Sequence, residues 1–206
     1  MQTPLRPVLR TLPFAFILWF LTFAIPFGNF WLKLTLSASF LAILALGSSR
    51  KVWKTLFHFK VRYLWLGPLS AIFLYGIFWM GKEFSTLLFP FASKQIANVY
   101  FNKSQINLTT IGFLLFFIMG PAEEIYWHGL VQRLFSERFG SMAGVLLTTA
   151  IYSLVHIFAL NLMLLVAAAV CGLFWGWLYQ REQSLIPVIL SHSIWDVLIF
   201  VIFPLG

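Results

Sequence analysis

IGFLLFFIMGPAEEIYWHGLVQRLF, residues 111–135, is an apolar stretch long enough to cross a bilayer, with two adjacent carboxylates in its middle. About 20 residues suffice for a spanning helix. A charged side chain at the centre of such a helix costs roughly +2.5 to +3.5 kcal/mol on the insertion scale. Glu123 and Glu124 are two of only six acidic residues in the 206-residue chain. Two further patterns repeat the anomaly. Tyr152-Ser153-Leu154-Val155-His156 lies in the apolar run 142–160, and His192-Ser193-Ile194-Trp195-Asp196 lies in the run 185–203. With His128, six ionisable residues are placed at bilayer depth. Such residues mark a functional site by default.

The rest of the chain fits a membrane setting. It is 61% hydrophobic and 10% charged, against about 25% charged for a soluble domain, and its mean hydropathy is +0.90. The expectation is an all-α, polytopic transmembrane helix bundle forming one domain, residues 1–206. The net charge of +8 does not signal nucleic acid. The basic residues flank apolar segments, where they serve as topology signals and contacts with anionic lipid. Cys171 is the single cysteine, so neither an intrachain disulfide nor a thiolate metal cage can form. Arg6 and Arg10 precede an apolar run as in a signal peptide, but no small-x-small cleavage site follows, so the run is expected to stay as the first span.

Seven spans are predicted, at about 12–26, 30–47, 64–81, 111–135, 142–160, 161–179 and 185–203. Between the second and third, RKVWKTLFHFKVRY (50–63) mixes five basic residues with apolar ones and reads as an elbow on the membrane surface. Residues 82–110 read as a stretch that dips into the interface (FSTLLFPFA) followed by a polar loop. An eighth span within 83–92 would reverse the sidedness of everything after it. With the N-terminus inside, the cytoplasmic segments hold Arg6, Arg10, Arg50, Lys51, Lys54, Lys60, Arg62, Arg133, Arg138 and Arg181. The other side holds Lys33, Lys82, Lys94 and Lys103. The positive-inside rule therefore places the N-terminus in the cytoplasm and the C-terminus outside.

Pro121 lacks a backbone donor and is expected to kink or restart the fourth span, leaving free N–H groups near the carboxylates. Glu124 and His128, Tyr152 and His156, and His192 and Asp196 are each spaced i, i+4 and share a helix face. Buried together, these polar stripes satisfy one another; apart, they would face lipid unpaired. Gly172 and Gly176 are small residues at the same spacing and permit close helix approach. Cys171 is expected to pack, and His58 to lie at the interface.

In order, spacing and helical context, the three patterns resemble the CPBP family of intramembrane proteases (CAAX proteases and bacteriocin-processing enzymes, also called Abi). That family's pattern is EExxxR, then FxxxH, then HxxxN or HxxxD, on successive transmembrane helices. The resemblance covers about 111–204, a catalytic-motif core; the first three spans carry no family signature. His128 stands where the family has Arg, and Tyr152 where it often has Phe. Imidazole lacks the permanently charged fork of guanidinium, so His128 braces the glutamates only when protonated or through a single hydrogen bond. Compact bacterial relatives that resemble myxosortases, thought to trim C-terminal sorting tails, share this small size.

The resemblance implies an intramembrane endopeptidase in a prokaryotic inner membrane. It would hydrolyse a membrane-anchored or lipidated protein with a glutamate-activated water. Glu123 is then the general base, Glu124 tunes and positions it, and His156 holds or polarises the water. His192 and Asp196 correspond to an oxyanion-stabilising pair, with Asp196 accepting from a His192 that donates to the oxyanion. His128 and Tyr152 play supporting parts, and no cofactor is implied. Zinc is the rival account of three histidines and three carboxylates, although HExxH and the Glu-x-x-His of di-iron bundles are absent. Plain structural pairing is the other reading, of the glutamates with His128 or Arg133 and of His192 with Asp196. Beyond enzymes stand an inactive relative serving as membrane scaffold or immunity factor, and a proton-relay transporter. A transporter would show two related halves, which the sequence lacks.

Overall fold

A computed structural model describes residues 5–48 and 52–206; Arg50 and Lys51 of the basic elbow lie outside the described residues. Seven helices are long and apolar enough to cross a membrane: α1 (Arg6–Phe23), α2 (Phe30–Ser48), α3 (Tyr63–Leu88), α4 (Leu108–Phe139), α5 (Ser141–Ala159), α6 (Leu162–Glu182) and α7 (Leu185–Ile202). The protein is an all-α, integral, multi-pass membrane protein. Helices satisfy their backbone groups internally, which hydrocarbon demands. The bundle turns large apolar side chains outward, among them Leu36, Ile43, Leu69, Ile72 and Phe73. The carboxylates and imidazoles of the three motifs are kept inside.

The centre of the bundle is α4. α2 and α7 pack against its middle, and α5 folds back along its last turns. α3 lies along α7, α6 lies along α5, and α1 pairs with α2. Burial follows this order: half of the α7 window is buried and only 17% of α3. The helices bearing the polar motifs, α4, α5 and α7, are therefore brought together at the middle.

Three expectations change. Pro121 does not interrupt α4, which is continuous from Leu108 to Phe139. The helix runs through it by widening to a π turn over Leu115–Met119, where the Gly120 N–H donates to the Leu115 carbonyl, five residues back. A second π turn covers Trp127–Gln132. The wider register absorbs the missing donor and the ring of Pro121, which begins a regular α segment instead.

The second change is that α3 continues to Leu88, through residues read as interfacial. Lys82 and Glu83 neutralise each other at 3.6 Å, and the Ser85 hydroxyl donates back to the Lys82 carbonyl at 3.1 Å. Third, the polar loop contains a helix, Ala92–Val99, and a 3-10 turn, Phe101–Gln105. Its amides tie it to the span ends. The Trp31 indole donates to the Asn102 carbonyl at 2.8 Å, the Phe30 N–H to Gln105 Oε1 at 2.6 Å, and the Met163 N–H to Gln95 Oε1 at 3.0 Å. Of the elbow, Trp53–Leu56 is a single helical turn, and Arg62 pairs with the buried Glu182 at the end of α6.

Candidate active site

The motif residues meet between α4, α5, α6 and α7. Glu123, Tyr152, His156, His192 and Asp196 all line one cavity of about 570 Å³. The approach of α4 to α7 there depends on Gly120, because a Cβ at that position would stand 3.1 Å from the Ser193 Cα. Each of the five side chains is buried, yet each lines the same space. Cys171 is buried as expected and also lines this cavity.

The Tyr152 hydroxyl donates to Glu123 Oε2 at 2.9 Å. Its ring meets the His156 ring edge-on, with centroids 4.9 Å apart. Tyr152 therefore touches both candidate catalytic groups, a contact that phenylalanine would make only in part. His156 sits at the last α turn of α5, where the helix tightens into a 3-10 turn. The Tyr152 carbonyl, freed there, accepts from His156 Nδ1–H at 2.7 Å. A carbonyl only accepts, so Nδ1 carries the proton and Nε2 presents the lone pair. That lone pair accepts from the Trp19 indole N–H at 3.3 Å.

Glu124 points away from the cavity and is 1% exposed. Its two oxygens meet two imidazoles. His192 Nδ1–H donates to Glu124 Oε1 at 2.6 Å, while His192 Nε2 lies 3.5 Å from Asp196 Oδ2. Glu124, from the neighbouring helix, thus makes the short bond that orients His192, in the place sequence reasoning assigned to Asp196. The Trp175 ring stacks on the imidazole with centroids 3.7 Å apart. The other oxygen, Glu124 Oε2, lies 3.5 Å from His128 Nε2.

His128 is itself held. Gln132 Nε2 donates to the Gly176 carbonyl at 2.8 Å, which fixes the amide orientation. Gln132 Oε1 then accepts from His128 Nδ1–H at 2.6 Å. Gly176 lets α6 come close here, because a Cβ there would lie 3.0 Å from Gln132 Oε1. Among the described residues no group of three or more His, Cys, Asp and Glu is arranged to hold a metal ion.

Sequence reasoning missed Trp19, Trp175 and Gln132. Gln132 carried a signal, standing i+4 from His128 in an apolar span. The two tryptophans carried none, since a tryptophan in an apolar span looks like lining.

Residues 105–198 match the family model described as type II CAAX prenyl endopeptidase Rce1-like. The match makes this segment similar to the CAAX-protease family, which is one of peptide hydrolases, and it supports a CAAX-type intramembrane protease. The family segment contains every motif residue, whereas Trp19 comes from outside it. No curated protein and no solved structure matches the chain.

Proposed function

We propose that the chain cuts a membrane-anchored or lipidated polypeptide with a water activated by Glu123. It would do so in a prokaryotic inner membrane, with the N-terminus in the cytoplasm. The observation that carries this reading is the convergence of Glu123, Tyr152, His156, His192 and Asp196 on one cavity. In the proposed reaction Glu123 takes a proton from the water as its oxygen adds to the scissile carbonyl carbon. The carbonyl oxygen becomes an oxyanion and accepts from His192 Nε2–H, while Glu124 accepts from Nδ1–H and holds the ring in place. Glu123 then returns its proton to the leaving nitrogen as the C–N bond breaks. Tyr152 holds Glu123 in place. His156 has one lone pair, which the Trp19 indole engages, so the water must take the place of that indole to be polarised there.

The test is cleavage of membrane-protein substrates by purified chain. Glu123→Gln keeps an acceptor for Tyr152 but removes the base, and is expected to slow turnover by about 10²- to 10⁴-fold. His156→Ala is expected to abolish it, with helicity and detergent-solubilised yield unchanged. Wild-type rates in either variant would end the proposal. The reaction as written needs no cofactor, so exhaustive chelation should leave the rate intact; loss on chelation with recovery on zinc would replace this mechanism by a metal-assisted one.

A further inference from the structure

The two ends of the bundle differ in both charge and access. α1, α3, α5 and α7 run from the first end to the second, and α2, α4 and α6 return. At the first end lie Arg6, Arg10, Lys54, Lys60, Arg62, Arg133, Arg138 and Arg181; at the second lie Lys33, Lys82, Lys94 and Lys103. Eight described cations against four is the asymmetry that retains the first end in the cytoplasm.

The cavity is built with the opposite bias. Its mouth is made by second-end segments: the turn around Pro26, the stretch from Gln95 to Gln105, and the turn Leu160–Asn161. From there it descends to Trp175 and His192. No first-end turn contributes a lining residue. We infer that the cavity is entered from the extracytoplasmic side, and that its substrate is a membrane-anchored polypeptide cut in a segment exposed outside the cytoplasm, next to the bilayer.

The mouth suits that occupant. Gln95, Asn98, Asn102, Gln105 and Asn161 line it without charge. Gln95, Asn102, Gln105 and Asn161 engage their amides with one another and with span-end groups, which leaves Asn98 to donate to and accept from a peptide main chain. The one lysine on the wall, Lys33, is turned away from an incoming ligand, since its Nζ donates to the Leu21 and Ile25 carbonyls at 3.0 and 2.7 Å. Carboxylates occur on the wall only at Glu123 and Asp196, below the mouth. Entry is thus lined by neutral polar groups and aromatic rings, and charge is met only where the chemistry would occur.

The identity of the substrate as a polypeptide rests on the hydrolase reading above; the side of entry does not. Both can be tested separately. In a Cys171→Ala background, Asn98→Cys marks the mouth and Thr55→Cys the opposite end; both positions are exposed. A membrane-impermeant maleimide should label Asn98→Cys in intact spheroplasts and Thr55→Cys only after lysis. The reverse order, or equal labelling of both, overturns the inference. Terminal mapping of membrane proteins in cells carrying wild-type chain or Glu123→Gln then reads the substrate. Termini that disappear in the variant should lie in extracytoplasmic segments adjoining a span, and termini in cytoplasmic segments would overturn the inference. If none disappear, hydrolysis itself is refuted and the labelling alone decides the side of entry.

Discussion

A run of side chains from the Gly176 carbonyl to His192 decides how the buried glutamate is managed. The carbonyl sets Gln132, Gln132 sets the His128 tautomer, and His128 Nε2 faces a Glu124 oxygen that has no other partner. A single proton between that oxygen and Nε2 gives a pair with no net charge, which meets the demand that a buried charge be compensated. Arginine would supply the same compensation without help, since its donors need no tautomer to be chosen. Gln132→Leu should therefore lower turnover by about tenfold in the native background and by less than about threefold in H128R. The orphaned Gly176 carbonyl is common to both backgrounds and cancels in this cycle. Equal losses in the two would mean that Gln132 serves only to cap that carbonyl. At this scale the sequence disclosed the polar positions, because each motif repeats at i, i+4 in an apolar span. It did not disclose which partners would bond. The pairing of His192 with Glu124 crosses from α7 to α4, and helical spacing within α7 pointed to Asp196 instead.

Helix approach is set at glycines. α4 ends at Gly140, whose φ of +92° makes the turn into α5. One turn later Gly144 lies against Ser136, where a Cβ would stand 2.6 Å from the Ser136 nitrogen and 2.7 Å from its Cα. Those are backbone atoms, so no side-chain rotation relieves the clash. Gly144→Ala is expected to cost about 1–3 kcal/mol by forcing α5 off α4, read as a lower thermal midpoint in detergent. Gly81, in α3, has nothing within 4 Å of the same added atom, so Gly81→Ala should be neutral or stabilise by up to about 1 kcal/mol. Matching losses at both sites would show that helix propensity, not contact, governs them. The seven spans were legible because hydrocarbon thickness fixes their length. Their deviations were not. The π turns around Pro121 leave no hydropathy signal, and the helix Ala92–Val99 repeats its apolar positions (Ala92, Ile96, Val99) over only eight residues, too few to stand out from a polar loop.

Between them, α1 and α2 complete a site whose recognisable motifs all lie in the second half of the chain. Trp19 is fully buried and donates to His156; Trp31 is 3% exposed and, with Phe23 and Leu34, forms one wall of the cavity. α2 packs on the middle of α4, on the helix that carries both glutamates. This contribution was illegible in sequence, because wall residues of a cavity and lipid-facing residues share the same apolar and aromatic types. Without α1 and α2, Glu123 and His156 would open onto lipid, where unpaired polar groups are expensive, and the water of the proposed reaction would have no enclosed space. Residues 105–206 expressed alone should therefore reach the membrane yet show no cleavage, although they contain the whole family segment. Residues 1–104 supplied as a separate chain should restore activity and copurify with them, since apolar spans inserted independently can associate by packing afterwards. Full-rate cleavage by 105–206 alone would show that the family segment is sufficient, and that the wall from α1 and α2 serves stability rather than chemistry.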